Sequence, residues 1–226
     1  MPVQPFSLLR PFKKKLDVAL FTKEDGDVTD ESVRSAMNGS GVAALHQMHG
    51  SRAVVAREGI ARTVDADALA TDVPGLVLTI RTADCQPILV YAPEHAITGL
   101  IHAGWKGLLA GVIPSFFDLL WEEWQIRPED TVVAVGPSLC QSCTPFTDPI
   151  KELPGIDRRF FNGTLVDLRG IAEDQLWKLG VREERFQRHP DCTRCDNRTY
   201  WSYRGTDREA VKKGKVNFLA TALRPQ

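Results

Sequence analysis

Three residues spread through the first half of the chain, His49, Cys85 and His102, are of the types that hold a metal ion. Each stands at the edge of a short apolar run. Cys85 follows one, His102 ends another and leads into Gly104 and Gly107, and His49 sits beside Gly50. Residues at the ends of neighbouring strands can converge although they are distant in sequence. Two imidazoles and a thiolate would leave a fourth position open for water or substrate, which is the pattern of a catalytic zinc site rather than a closed structural one. Zinc held in this way polarises a substrate oxygen or lowers the pKa of a water. The residue types alone leave a plain alternative open, in which Cys85 is a small buried hydrophobe and each His a satisfied polar residue.

The neighbours of these three add detail. If residues 46–49 are extended, Gln47 shares the face of His49, while His46 and Met48 take the other. Gly104, Lys106 and Gly107 form a turn that lets backbone N–H groups approach an anion such as phosphate, and a helix following directly would strengthen it. Asp84 either supports Cys85 from behind or caps a strand. Cys140, Cys143, Cys192 and Cys195 form two C-x-x-C pairs, the usual ingredients of a four-thiolate structural metal site, although the stretch between them is longer than in zinc ribbons. Unliganded or redox-active thiols are the alternative.

The elements that must position these groups are short. Strands are expected over 17–21, 43–48, 53–56, 76–80, 88–91, 97–101 and 131–135, with a last one at 200–203. Apolar spacing predicts helices over 108–124 and 166–179, a short one near 30–37 and another from about Asp207. Pro114 means that the helix at 108–124 either starts near Ile113 or bends there. Several strands in succession followed by helices indicate an α+β class.

Composition bounds the rest. The chain has 226 residues, 43% hydrophobic and 25% charged, as expected of a globular protein with one domain or at most two small ones. A formal net charge of −1 offers no basic excess for nucleic acid. The proline-broken start does not read as a signal peptide, and no run approaches the ~20 apolar residues of a membrane helix. A soluble cytoplasmic protein with reduced thiols is the expectation.

The blocks His46-Gln47-Met48-His49-Gly50, Thr82-Ala83-Asp84-Cys85-Gln86-Pro87 and His102-Ala103-Gly104-Trp105-Lys106-Gly107, in this order, resemble the signature of the laccase-domain (YfiH-like) family, also called polyphenol oxidase or peptidoglycan editing factor. Asp65-Ala66-Asp67-Ala68, Gly136-Pro137 and Cys192-Thr193 with Trp201-Ser202-Tyr203-Arg204 also fit. The likeness runs over roughly residues 18 to 220 and is strongest from 43 to 137. It implies a single domain over 1–226 with an α/β/β/α layered sandwich of mixed sheets, similar to the catalytic domain of cytotoxic necrotising toxins. It puts the metal ligands on His49, Cys85 and His102. It implies zinc-dependent phosphorolysis of adenosine, inosine or methylthioadenosine, with adenosine deamination as a further activity.

The resemblance also implies a basic phosphate contact early in the chain, where Lys23 is the nearest match. Gln47, Gly104, Lys106 and Arg204 complete the expected substrate and phosphate contacts. A block that normally precedes the Gln-x-His-Gly motif is missing, so part of the usual pocket wall is expected to be absent. Three other readings stand beside this one. A copper polyphenol oxidase would use the same three ligands, but five His are too few for a multicopper cluster and a blue copper together, and Met48 should point away. A hydrolase of peptidoglycan precursors would use Cys85 as nucleophile and His102 as base. A binding module without catalysis is the last. The expected partners are small molecules, not nucleic acid or membrane, and the chain is expected to be a monomer or homodimer.

Overall fold

The computed structural model describes residues 4–225. The smaller of its two main sheets has the strand order β1 (Leu16–Phe21), β12 (Asn217–Leu223), β5 (Leu76–Thr82) and β2 (Gly41–Ala44). The larger runs β11 (Phe186–Arg188), β8 (Val132–Val135), β6 (Gln86–Ala92), β7 (Ile97–Ala103), β4 (Ala68–Thr71) and β3 (Ala53–Val55). A ribbon of β9 (Phe161–Asn162) and β10 (Leu165–Val166) stands apart. The helices are α1 (Asp30–Ala36), α2 (Trp105–Ala110), α3 (Val112–Trp124), α4 (Pro149–Glu152), α5 (Leu168–Leu179) and α6 (Arg208–Lys212). Both sheets are mixed: β2 is parallel to β5 and β3 to β4, whereas β12 is antiparallel to both its neighbours and β6 to β7.

Side-chain alternation shows how the layers stack. On β6, Leu89 and Tyr91 enter the core between the sheets, with Leu78, Ile80 and Leu219. Ile88 and Val90 point the other way, onto Ile113 and Phe116 of α3 and Ile171 and Leu176 of α5. On the smaller sheet Val77, Phe218 and Ala220 pack outward against Val33 of α1. The order is therefore α/β/β/α. Strands buried on both faces need an apolar residue at nearly every position, which is why they read as continuous runs. Within β7, a Cβ on Gly99 would stand 2.4 Å from the Phe116 ring, so glycine there lets α3 lie close on the sheet.

Three expectations change. The strand expected at 43–48 ends at Ala44, and the chain continues as a loop held by one bridge, His46 to Asp65. The expected helix over 108–124 is two helices divided at Gly111, whose φ of 80° only glycine adopts freely. Pro114 then falls in the first turn of α3, where its missing N–H costs nothing. Residues 200–203 are irregular and lead into a turn rather than forming a strand. The final strand is instead β12, central in the smaller sheet, and its Ala- and Leu-rich sequence carries little intrinsic β-preference. Among the described residues, no helix is long and apolar enough to cross a membrane.

Candidate metal centre

Strand register builds the site. Gln86 pairs with Ala103 and Pro87 with His102, so Cys85, one step before β6, lies beside Gly104, one step after β7. Ala68 pairs with Ile101 on the other side of β7, which sets Asp67 next to His102. His49 arrives on the loop after β2. The ligand atoms of His49, Cys85 and His102 lie within 4.8 Å of one another. The two imidazole rings meet edge to face with centroids 4.8 Å apart.

Asp67, buried at 1% exposure, is the organiser. Its carboxylate accepts from the backbone N–H of His49 (2.9 Å), Gly50 (2.7 Å) and Met48 (3.2 Å), and it pairs with His102 Nδ1 at 2.8 Å. Its carbonyl accepts from the His102 N–H at 2.7 Å. This leaves His102 Nε2 to face Cys85 and fixes the ring as metal-ligating histidines are usually fixed. His49 has a φ of 59°. A non-glycine residue in that region costs on the order of 1 kcal/mol, and hydrogen bonds to a charged acceptor, roughly 1.5–3 kcal/mol each, outweigh it.

The charges support one another. Burial pushes the Cys85 thiol up, but the His102 charge and hydrogen bonds from His102 and His49 overcome it and bring the thiol down to about 6. Burial pushes His102 down, yet the facing Cys85 and the Asp67 carboxylate raise it to about 9. Burial also raises Asp67, and the bonds from His102, Gly50 and His49 hold it below the usual carboxylate range. Gly104 is the cradle. A Cβ there would stand 2.9 Å from Cys85 Sγ and 3.1 Å from the His49 ring. Two neutral-capable imidazoles, one readily ionised thiol, a supporting carboxylate and an uncrowded side fit a zinc-like ion.

The three residues stand at the wall of a cavity of about 640 Å³. Trp105, Leu139, Leu168 and Tyr203 supply apolar and aromatic surface, and Arg81 and Arg204 supply charge. The C-terminal segment contributes to the cavity wall through Val211, Lys212, Gly214 and Val216. Gln47 lines the cavity, but its amide is occupied. Its Nε2 donates to Arg81 O (2.8 Å) and its Oε1 accepts from Arg81 N (3.0 Å), continuing the pairing of β2 with β5 by a side chain. His46 also lines the cavity, correcting the expectation that it faces away, because residues 46–49 are not a strand. Met48 is 55% exposed and does not line the cavity.

Three expected anion contacts lie elsewhere. Lys23 does not line the cavity; its Nζ pairs with Asp207 at 2.6 Å, donates to Asn197 O and lies over the Trp201 ring. Lys106 is exposed, with its Nζ 5.5 Å from the centre of the Trp105 ring. Gly107 serves packing, since a Cβ there would stand 3.2 Å from Gly50 O. The helix that begins at Trp105 has only six residues. Asp84, next to Cys85 in the chain, ties its turn to the C-terminal segment: at a φ of 96° it accepts from Thr193 Oγ1 (2.8 Å), Ser202 Oγ (2.7 Å) and Arg204 N (2.6 Å). The four paired cysteines converge as well, with sulfur atoms within 4.8 Å of one another.

Reading the sequence missed Asp67 as a functional residue, and it missed Arg81. Asp67 was within reach, because a ligating His needs a partner for its second nitrogen and Asp67 immediately precedes a strand. Arg81 gave no local signal. Among the described residues its guanidinium makes no hydrogen bond or ion pair, and burial together with the nearby Arg62 draws it below the usual arginine range.

The model of the multi-copper polyphenol oxidoreductase laccase family matches residues 11–220. The chain belongs to that family. Within it, the chain is 42% identical over 162 residues to a purine nucleoside phosphorylase of Bacteroides thetaiotaomicron, covering 66% of this chain and 58% of that protein. It is 27% identical over 150 residues to adenosine deaminase RL5 of an unknown prokaryotic organism, covering 61% and 56%. The crystal structure of YlmD from Geobacillus stearothermophilus superposes with a TM-score of 0.81 at 21% identity, over 99% of this chain and 94% of that one, so this laccase-family chain shares its fold.

Proposed function

We propose that the chain is a zinc-dependent purine nucleoside phosphorylase whose centre is His49, Cys85 and His102, with adenosine deamination as a lesser activity of the same cavity. The observation that carries this reading is a three-ligand site, supported by Asp67, that opens onto a cavity of a size suited to a nucleoside. The relatives named as a purine nucleoside phosphorylase and an adenosine deaminase support this choice of substrate class.

The reaction breaks the bond from the sugar C1′ to the purine and forms one from C1′ to a phosphate oxygen. The base leaves with the bonding electron pair and gains a proton. A divalent ion held by the three ligands supplies Lewis acidity. Arg81, whose guanidinium has no hydrogen-bond or ion-pair partner among the described residues, offers its charge to phosphate, in place of the Lys23 expected from the sequence. Arg204, whose guanidinium lies over Phe146 and donates to Pro145 O, adds a second charge at the wall. Tyr203, 38% exposed at the cavity, offers a face to a purine ring. The Asp67 bond keeps a proton on His102 Nδ1 and leaves Nε2 free to ligate.

The test is to incubate the protein with inosine, adenosine and methylthioadenosine, with and without phosphate. Equal amounts of base and sugar phosphate are expected, and only when phosphate is present. Base release without phosphate consumption would contradict the reading. One second reading rests on a specific observation, the Cys85 thiol lowered to about 6 beside His102. A thiol hydrolase would be active in chelator and stopped by alkylation. The oxidase reading finds less support. Among the described residues two groups with metal-ligating potential occur, and neither holds more than two histidines, too few for a multicopper cluster.

A further inference from the structure

The four-cysteine cluster lies outside the cavity and has no part in the chemistry above. Cys140 and Cys143 sit in the loop after β8, and Cys192 and Cys195 sit in the segment before the C-terminal turns. Two chain segments far apart in sequence bring four free thiols to one point. Cys195 Sγ lies 3.5 Å from Cys143 Sγ and 3.8 Å from Cys140 Sγ. The Cys140 N–H donates to Cys192 Sγ at 3.3 Å. An apolar plug would need only volume, and Leu139, Cys143 and Cys192 do form a small buried cluster. A plug would not direct the sulfur of exposed Cys195 inward to the same point as the other three.

Both knuckles grip the turn that presents Cys85. The Leu139 N–H, beside Cys140, donates to Asp84 O at 3.2 Å. Thr193, between Cys192 and Cys195, donates its hydroxyl to Asp84 Oδ1 at 2.8 Å. Arg169 of α5 spans the two segments by donating to the carbonyls of Ser138 and Leu139 on one and of Pro190 and Asp191 on the other. Asp84 holds a backbone conformation that L-residues rarely adopt, so something must maintain it.

We infer that Cys140, Cys143, Cys192 and Cys195 hold a structural zinc ion that clamps the two segments together and thereby fixes the Asp84–Cys85 turn. Four thiolates leave no position open, which makes the site closed and structural. Binding displaces the thiol protons to solvent. No oxidant is required, and the metal does not touch substrate. Asp84 and Thr193 act as positioning residues for Cys85.

The test uses the full chain carrying Cys85→Ala, which removes the cavity site as a competing ligand set. This protein is expected to retain about one zinc per chain when purified without added metal. Cobalt exchanged into it should give the intense sulfur-to-metal bands of a tetrahedral thiolate centre. A thiol reagent should label the four remaining cysteines only after chelation. Adding Cys140→Ser and Cys195→Ser should abolish retention; if that variant fails to fold, the thiol labelling decides. Removing the metal should speed amide hydrogen exchange at least tenfold at residues 84–86 as well as at 139–143 and 192–195. Free reaction of all four thiols without chelation, or disulfides in the native protein, would overturn the site. Unchanged exchange at 84–86 would overturn the clamp.

Discussion

The chain holds two sulfur-containing clusters, and they are built differently. His49, Cys85 and His102 stand at strand ends or on a loop pinned to them, and Asp67 fixes the geometry from a neighbouring strand. One side opens to a cavity, and glycine at 104 keeps a Cβ off Cys85 Sγ and the His49 ring. The four cysteines stand on loops and turns, close on one another and do not line that cavity. Each cluster has its aspartate: Asp67 orients a ligand, while Asp84 ties the turn of Cys85 to the second cluster. The same atoms, sulfur above all, serve an open site when rigid strands carry them beside a void. They suit a closed site when two loop segments distant in sequence bring them to one point.

Substitutions can break this contrast in a graded way. Cys85→Ala should lower phosphate-dependent base release roughly 1,000-fold, about 4 kcal/mol of barrier, while leaving the four-cysteine metal in place. Asp67→Asn should weaken metal binding at the open site roughly 10- to 100-fold, read by competition with a chelator, because the His102 ring loses its anchor. Gly104→Ala, whose Cβ would press on Cys85 Sγ and His49, should weaken the same binding about tenfold, with little change in thermal unfolding. Arg81→Gln should raise the KM for phosphate about tenfold with kcat nearly unchanged, as loss of uniform binding does.

The pH dependence sharpens the open site alone. In the metal-free protein Cys85 is ionised above about 6, while His102 keeps its proton until about 9. Metal binding displaces that proton. Affinity should therefore climb about tenfold per pH unit between 6 and 9 and flatten above, as a chelator competition across that range will measure. A flat profile would mean that His102 is not a ligand.

Much of this was legible in the sequence because buried strands announce themselves. The apolar runs at 76–80, 88–91 and 97–101 fall within β5, β6 and β7, and the blocks around Cys85 and His102 mark their ends. Where stabilisation is non-local, the pattern failed. β12 is a strand because β1 and β5 flank it, and its own residues suit a helix as well. The 46–49 segment suggests alternation, yet Asp67 draws the N–H groups of Met48 and His49, together with that of Gly50, to one carboxylate and so prevents extension. Lys23 was assigned by motif position, and only its pairing with Asp207 shows it is already engaged. Arg81 was invisible, because what marks it is the absence of a partner in three dimensions.

The most direct measurement is the metal content of the protein purified without added metal, wild type beside Cys85→Ala and beside Cys140→Ser with Cys195→Ser. The account expects about two ions per chain in the wild type and about one in each variant. Unchanged content in Cys85→Ala would contradict the open metal centre and leave a thiol nucleophile as the reading of Cys85.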